Sequence, residues 1–318
     1  MNEVVDVRLK VFGRKDLLGL QDLHPDEIRL ILDTARSFRE ISERPIKKVP
    51  TLRGKTLVNL FYEPSTRTRT SFEIAAKRLS ADIININVPQ SSIVKGEGLK
   101  DTVKTIEAME ASIVVIRHGQ AGVPHILAHM VKSSIINAGD GAHEHPTQGL
   151  IDMFTILEKK GSLEGLRIVI VGDILHSRVA RSNIFGLTKM GAKVCVCGPP
   201  TLIPPKVEQL KVEVYYKLEE AIKDADVIML LRMQLERQCP NLFPTLLEYT
   251  KLYGLNKERL RVASQDVLVM HPGPINRGIE ITPDVADSHY SVICDQVRNG
   301  IAVRMTVLYL LSGNRGRL

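Results

Sequence analysis

The chain contains no tryptophan, and aromatic residues make up only 4% of its 318 positions. Platforms that stack single-stranded nucleic acid depend on such side chains, which disfavours that class of partner. Lysine and arginine number 43 against 36 for aspartate and glutamate, a net charge of +7. The excess is scattered, with no run resembling a basic arm. Small anions fit this distribution better than a polyanion or a membrane surface. No apolar stretch approaches the ~20 residues of a membrane-spanning helix. Met1-Asn2-Glu3-Val4 begins no basic segment followed by an apolar one, the pattern of a secretory leader. Cys195, Cys197, Cys239 and Cys294 lack metal-type spacing, and the first two alternate on what reads as a core strand. The expectation is a soluble, cytoplasmic protein with no nucleic-acid and no membrane partner.

Chemistry-bearing motifs are missing as well. Val169-Ile170-Val171-Gly172-Asp173 resembles the opening of a dinucleotide-binding unit, yet G-x-G-x-x-G is absent. Arg178 stands where close approach to a pyrophosphate needs glycine. Neither a Walker-type phosphate loop nor a G-x-S-x-G elbow occurs. His143-Glu144-His145 spaces its histidines for a strand or loop, not for the i, i+4 zinc pair of a helix. No cofactor and no metal are expected.

What is present is an ordinary globular composition, 44% hydrophobic and 25% charged. The length favours two domains. Short apolar runs of strand length alternate with helical stretches in both halves, which predicts parallel sheets with helices on their faces. Pro146 to Lys159 reads as one helix, and Gly161 to Gly165 then punctuates the chain. A last helical stretch, Asp295 to Leu311, is long enough to pack back on the first domain. The expected division is 1–147 together with 297–318, and 148–296. The fold class is α/β, two domains of mainly parallel sheet flanked by helices, with the active site in the cleft between them.

The most informative stretch runs from Thr56 to Leu79. Thr56 to Tyr62 is a β-branched and apolar run, Glu63-Pro64 breaks it, and from Phe72 the apolar residues recur at Ala75, Ala76 and Leu79 with helical spacing. Between them lies Ser65-Thr66-Arg67-Thr68-Arg69, hydroxyls and guanidiniums ahead of a helix start. That combination suits phosphate or carboxylate, because helix N-termini offer unpaired N–H groups and partial positive charge. It suits equally well a capping hydroxyl followed by solvated arginines.

Position, more than composition, favours the anion site. In open α/β sheets ligands bind beyond the carboxyl ends of the strands. Here successive strand ends deliver Ser91 with Lys95, then Arg117-His118, then Asn137 to Gly141 followed by His145-Pro146-Thr147-Gln148. In the second half they deliver Gly172-Asp173 with His176-Ser177-Arg178, Arg232-Met233-Gln234, and His271-Pro272-Gly273-Pro274. Such a set can hold a phosphate and a carboxylate together while polarising a carbonyl. Carboxylates are few along this edge and look structural.

Ser65-Thr66-Arg67-Thr68-Arg69 resembles the carbamoyl-phosphate signature of the aspartate/ornithine carbamoyltransferase family, and His145-Pro146-Thr147-Gln148 is similar to its second signature. The resemblance extends over essentially the whole chain. Late in the sequence, His271-Pro272-Gly273-Pro274 lacks the Cys of the ornithine-using members, and Arg178 with Arg232-Met233-Gln234 suits a dicarboxylate. The resemblance therefore implies carbamoyl transfer to L-aspartate, an early step of de novo pyrimidine biosynthesis. Rival readings are a carbamoyltransferase for ornithine or another amine, and a non-catalytic anion-binding relative.

Carried over residue by residue, the resemblance implies that Ser65, Thr66, Arg67 and Thr68 bind the phosphate of carbamoyl phosphate, with Thr68, Arg117 and His145 at the carbonyl oxygen. Gln148 would hold the carbamoyl amide, and the backbone of Pro272 and Gly273 the carbamoyl and α-amino groups. Ser91 and Lys95 would reach in from a neighbouring subunit of a homotrimer. Lys95, Arg178, Arg232 and Gln234 would hold aspartate. The catalytic set would be Arg67, Thr68, Arg117 and His145. Regulatory chains or a dihydroorotase are the partners the family adds. Two departures stand out. Gly273 replaces the Leu of some relatives at a backbone contact, and Val179 replaces a Thr, which leaves one carboxylate contact unaccounted for.

Overall fold

A computed structural model describes residues 12–87, 98–233 and 245–313. Ser91, Lys95 and Gln234 lie outside the described residues, as does Cys239. Two parallel sheets carry the architecture. The first contains β1 (Thr56–Phe61), β2 (Asp82–Asn87), β3 (Ile113–His118) and β4 (Ser134–Asp140) in the order β2-β1-β3-β4. The second contains β5 (Arg167–Val171), β6 (Lys193–Cys197), β7 (Glu213–Tyr215), β8 (Val227–Leu230) and β9 (Leu268–Met270) in the order β7-β6-β5-β8-β9. All named strand pairs are parallel. Each sheet begins at an inner strand, adds neighbours on one side, then reverses to the other. The reversals fall between β1 and β3 and between β5 and β8, and they create the crevices where ligands of such sheets bind.

The helices of the first half are α1 (Pro25–Ile41), α2 (Thr66–Arg78), α3 (Leu99–Ala108), α4 (Val123–Ala128) and α5 (Pro146–Lys160). Those of the second are α6 (Arg178–Lys189), α7 (Leu218–Ile222), α8 (Leu246–Tyr253), α9 (Lys257–Leu260) and α10 (Pro283–Ala286), and α11 (Ile293–Ser312) closes the described chain. The strands and helices read from the sequence agree with the structure to within a few residues. The apolar spacing of α2 begins only at Phe72, whereas the reading of Ser65 as the cap position places the helix start where it is found, at Thr66. Thr66 to Thr70 contain no apolar side chain, so periodicity is blind to this first turn although its backbone is helical.

The core explains how two sheets become one body. Phe72, Ala75 and Ala76 of α2, Leu150 and Phe154 of α5, Ala180 and Ile184 of α6, and Val303 and Leu308 of α11 belong to a single buried cluster that also takes in Ile168 and Ile170 of β5. α11 packs on α1, α2 and α5, and α5 packs on α6. Close approach depends on two glycines. A Cβ at Gly149 would lie 2.7 Å from a Leu20 methyl, and one at Gly186 would lie 2.7 Å from the Met153 methyl. Cys195 and Cys197 are buried on β6, as their alternation suggested. Among the described residues no helix is long and apolar enough to cross a membrane.

Candidate active site

The motif after β1 forms the first turn of α2. Ser65 occupies the N-cap position, yet its hydroxyl makes no capping hydrogen bond. The N–H groups of the first turn therefore have no acceptor in the Ser65 side chain. Thr68 is buried. Arg67 extends across to the loop after β9. A Cβ placed on Gly273 (φ 68°) would stand 2.7 Å from Arg67 Nη1, so glycine both adopts the left-handed backbone and leaves room for the guanidinium. Burial and the positive charges of Arg67 and Arg232 push the pKa of His271 down to about 4. Those effects put both arginines near the loop that carries His271, Pro272 and Gly273.

A second cluster forms at the ends of β3, β4 and β5. Arg117 Nη1 donates to the Ala138 carbonyl at 3.1 Å. Arg178, at the start of α6, lies over the backbone of Gly139, where a Cβ would come within 2.9 Å of Cζ. Both guanidiniums converge on Glu63, with Arg178 Nη2 donating to Oε2 at 2.6 Å and Arg117 Nε 3.4 Å from the same oxygen. The sequence reading treated Glu63 as part of a strand break and the edge carboxylates as structural. The structure gives Glu63 a specific structural part, since its carboxylate joins an arginine of the first half to one of the second. A Glu before a Pro gives no periodic signal of such a role.

His145 is the N-cap residue of α5, and its backbone N–H donates to Ser182 Oγ at 2.9 Å. Burial, with Arg117, Arg178 and Arg304 nearby, holds its pKa well below that of an ordinary histidine. The imidazole is therefore neutral, and its buried Nδ1 has no hydrogen-bond partner. One turn on, Gln148 Nε2 donates to Asp152 Oδ1 at 2.8 Å. The same carboxylate accepts from Gln296 Nε2 and Asn183 Nδ2, each at 2.8 Å. Burial raises Asp152 to about 6 against the pull of these amide donors. Gln296 Oε1 in turn accepts the backbone N–H of His271 at 3.0 Å. A relay of side chains thus connects Gln148 to the loop bearing Pro272 and Gly273. Behind α2, Arg304 of α11 donates to Ser71 Oγ at 2.7 Å and lies over the Phe72 ring at 5.1 Å. Asp152, Asn183, Gln296 and Arg304 went unnoticed in the sequence because each reads as an ordinary polar helix position.

The described site residues therefore gather around neutral imidazoles and four guanidiniums, an arrangement for holding anions and stabilising negative charge on an oxygen. The family model described as "Aspartate/ornithine carbamoyltransferase, carbamoyl-P binding domain" matches residues 15–158, and that described as its "Asp/Orn binding domain" matches residues 164–311. The chain is 63% identical over 300 residues to the aspartate carbamoyltransferase catalytic subunit of Syntrophus aciditrophicus, covering 94% of this chain and 98% of the relative. With the corresponding subunit of Heliobacterium modesticaldum the identity is 60% over 302 residues, covering 95% and 97%. Among solved structures, ornithine carbamoyltransferase from Pyrococcus furiosus superposes with a TM-score of 0.84 at 34% identity, covering 95% and 97% of the two chains. Aspartate transcarbamoylase from Trypanosoma cruzi, in complex with carbamoyl phosphate and aspartate, superposes with a TM-score of 0.85 at 28% identity, covering 93% and 96%.

Proposed function

The chain belongs to the aspartate/ornithine carbamoyltransferase family, and from that premise we propose that it transfers the carbamoyl group of carbamoyl phosphate to the amine of L-aspartate, giving N-carbamoyl-L-aspartate and phosphate. The guanidinium set carries this reading. Arg67 and Arg117 stand by the first turn of α2 and the neutral His145, while Arg178 and Arg232 face them from the second half. That is charge for a phosphate on one wall and a dicarboxylate on the other, with no thiol in the loop after β9. The aspartate-using relatives at 60–63% identity support the same acceptor.

In this reading carbamoyl phosphate lies with its phosphate at Ser65, Thr66, Arg67 and Thr68. Its carbonyl oxygen faces Thr68, Arg117 and His145. A neutral imidazole donates its one N–H to that oxygen and lacks the second, acidic proton of an imidazolium. Gln148 commits its amide N–H to Asp152, so its oxygen accepts from the carbamoyl NH2. The Pro272 and Gly273 carbonyls accept from the carbamoyl and α-amino groups, and Arg178, Arg232 and Gln234 hold the two carboxylates. The uncharged amine attacks the carbamoyl carbon, the C–N bond forms, and the C–O bond to phosphate breaks. Among the described residues no obvious strong base is assigned to the amine, and a departing phosphate oxygen takes the proton. Alignment of two bound reactants can supply roughly 7–11 kcal/mol of the barrier.

Phosphate release that depends on aspartate tests the assignment. Release with ornithine in place of aspartate would move the chain to the other branch, and none with either amine would leave an anion-binding relative. We also propose a homotrimer in which Ser91 and Lys95 complete a neighbour's site. Mixed trimers of Lys95→Ala and Arg67→Ala chains are then expected to recover activity that neither parent shows, and inert mixed trimers would remove the shared site. The free thiols at Cys195, Cys197 and Cys294 support a reducing, cytoplasmic setting.

A further inference from the structure

Apart from the residues assigned to substrate, α4 and the turn after β4 present a second group of ligating side chains. One ligand atom each from His125, Asp140 and His143 lies within 4.8 Å of the other two. We propose that these three residues bind a divalent transition-metal ion of the zinc class and that the ion pins α4 to the turn leading into His145.

The carboxylate is already held as a ligand would be. Asp140 is fully buried, its Oδ2 accepts the Gly122 N–H at 2.7 Å, and its Oδ1 accepts from Asn137 Nδ2 at 2.8 Å and the Glu144 N–H at 3.1 Å. Such outer partners fix the orientation of metal ligands. His143 Nδ1 stands 3.1 Å from Asp140 Oδ2 and 3.3 Å from Oδ1. Bonds of about 2.0–2.2 Å to a tetrahedral ion separate two ligand atoms by roughly 3.3–3.6 Å, so a metal fits where the pair now shares a proton. The His125 ring lies 5.4 Å from that of His143, and its Nδ1 is buried without a hydrogen-bond partner. Rotation of this half-buried ring closes the remaining gap. Two imidazoles and one carboxylate suit zinc, cobalt, nickel or copper, whereas magnesium and calcium want oxygen sets. The partly exposed rings leave a fourth position to water.

The test uses the full chain without a histidine tag, stripped with chelator and titrated with Co2+ under visible absorption, then with Zn2+ in competition. About one Co2+ per chain with tetrahedral ligand-field bands is expected, and Zn2+ should raise the melting temperature by about 2–4 °C. His125→Asn and His143→Asn should each weaken binding by about tenfold or more, while His129→Asn, at the far end of α4, should not. Absence of the bands, or binding that both substitutions leave unchanged, overturns the site. If His143→Asn fails to fold, His125→Asn decides alone, since its Nδ1 contributes no hydrogen bond.

Discussion

Two serines hold the same place in the two sheets. Ser65 follows β1 and precedes α2, and Ser177 follows β5 and precedes α6. Ser177 caps its helix, accepting the Ala180 N–H at 3.1 Å, whereas Ser65 makes no such bond. The second half satisfies its helix end internally and presents the side chain of Arg178. The first half leaves its helix end open and adds hydroxyls and Arg67 around it. One winding thus yields two kinds of helix start, one capped by its serine and one not. An open helix end suits a phosphate, which takes many donors at once, and a fork on a capped helix suits a single carboxylate.

The largest test of this contrast concerns the reacting oxygen, which the proposed mechanism assigns to Thr68, Arg117 and His145 of the first half. Arg117→Ala and His145→Ala should each cost about 2.7–4 kcal/mol of barrier, a fall in kcat of about 10²- to 10³-fold. Near-normal turnover in both would remove the carbonyl site.

Two buried titratable groups, His271 in the loop after β9 and Asp152 on α5, give the next. His271 stays neutral in the folded chain down to about pH 4, against an ordinary value of 6.5. A depressed folded pKa means stability that is complete above pH 6.5 and is lost as pH falls toward 4, at most about 3 kcal/mol. Asp152 works oppositely. Its folded pKa of about 6 exceeds the ordinary 3.8, so it favours the folded chain more as pH falls through the same window. Denaturant titrations at several pH values should show a shallower acid loss in His271→Asn and a steeper one in Asp152→Asn. Unchanged slopes would mean that neither group sets the pH dependence.

A third measurement separates the substrates. Arg67→Ala should weaken carbamoyl phosphate by about 10- to 150-fold, the loss of one charged hydrogen bond, while Arg232→Ala does the same to aspartate. Equal effects on both substrates in either variant would dissolve the division of labour. The smallest effect is the most direct. Ser177→Ala should cost about 1 kcal/mol of stability as a lost cap, and Ser65→Ala only a few tenths while raising KM for carbamoyl phosphate. A reversed pattern would undo the comparison.

These particulars also show what a sequence displays. Strands such as Ile113–His118 and Arg167–Val171 were legible because their apolar runs are short and bounded, and the two signatures were legible because their side chains are contiguous. The first turn of α2 left no apolar period, since Thr66 to Thr70 offer none, and only the cap-type residues at its start marked it. Glu63 was hidden by Pro64, and Asp152 by a helix in which any polar residue looks solvated. His143 was weighed only with its neighbour His145, because nothing in the chain announces that His125, on another element, stands beside it. Long-range polar partnerships leave no local trace.

The closing helix carries one more consequence. α11 supplies Val303, Leu308 and Arg304 to the packing behind α2, and it covers α1 and α5. During synthesis, the half of the protein made first therefore waits for the half made last. Residues 12–160 emerge from the ribosome with an apolar face uncovered, and it closes only once residues 293–312 follow. A ribosome stalled anywhere in the second sheet would hold out an incomplete first one, and truncation before α11 should damage the remote N-terminal half more than the sheet beside the cut.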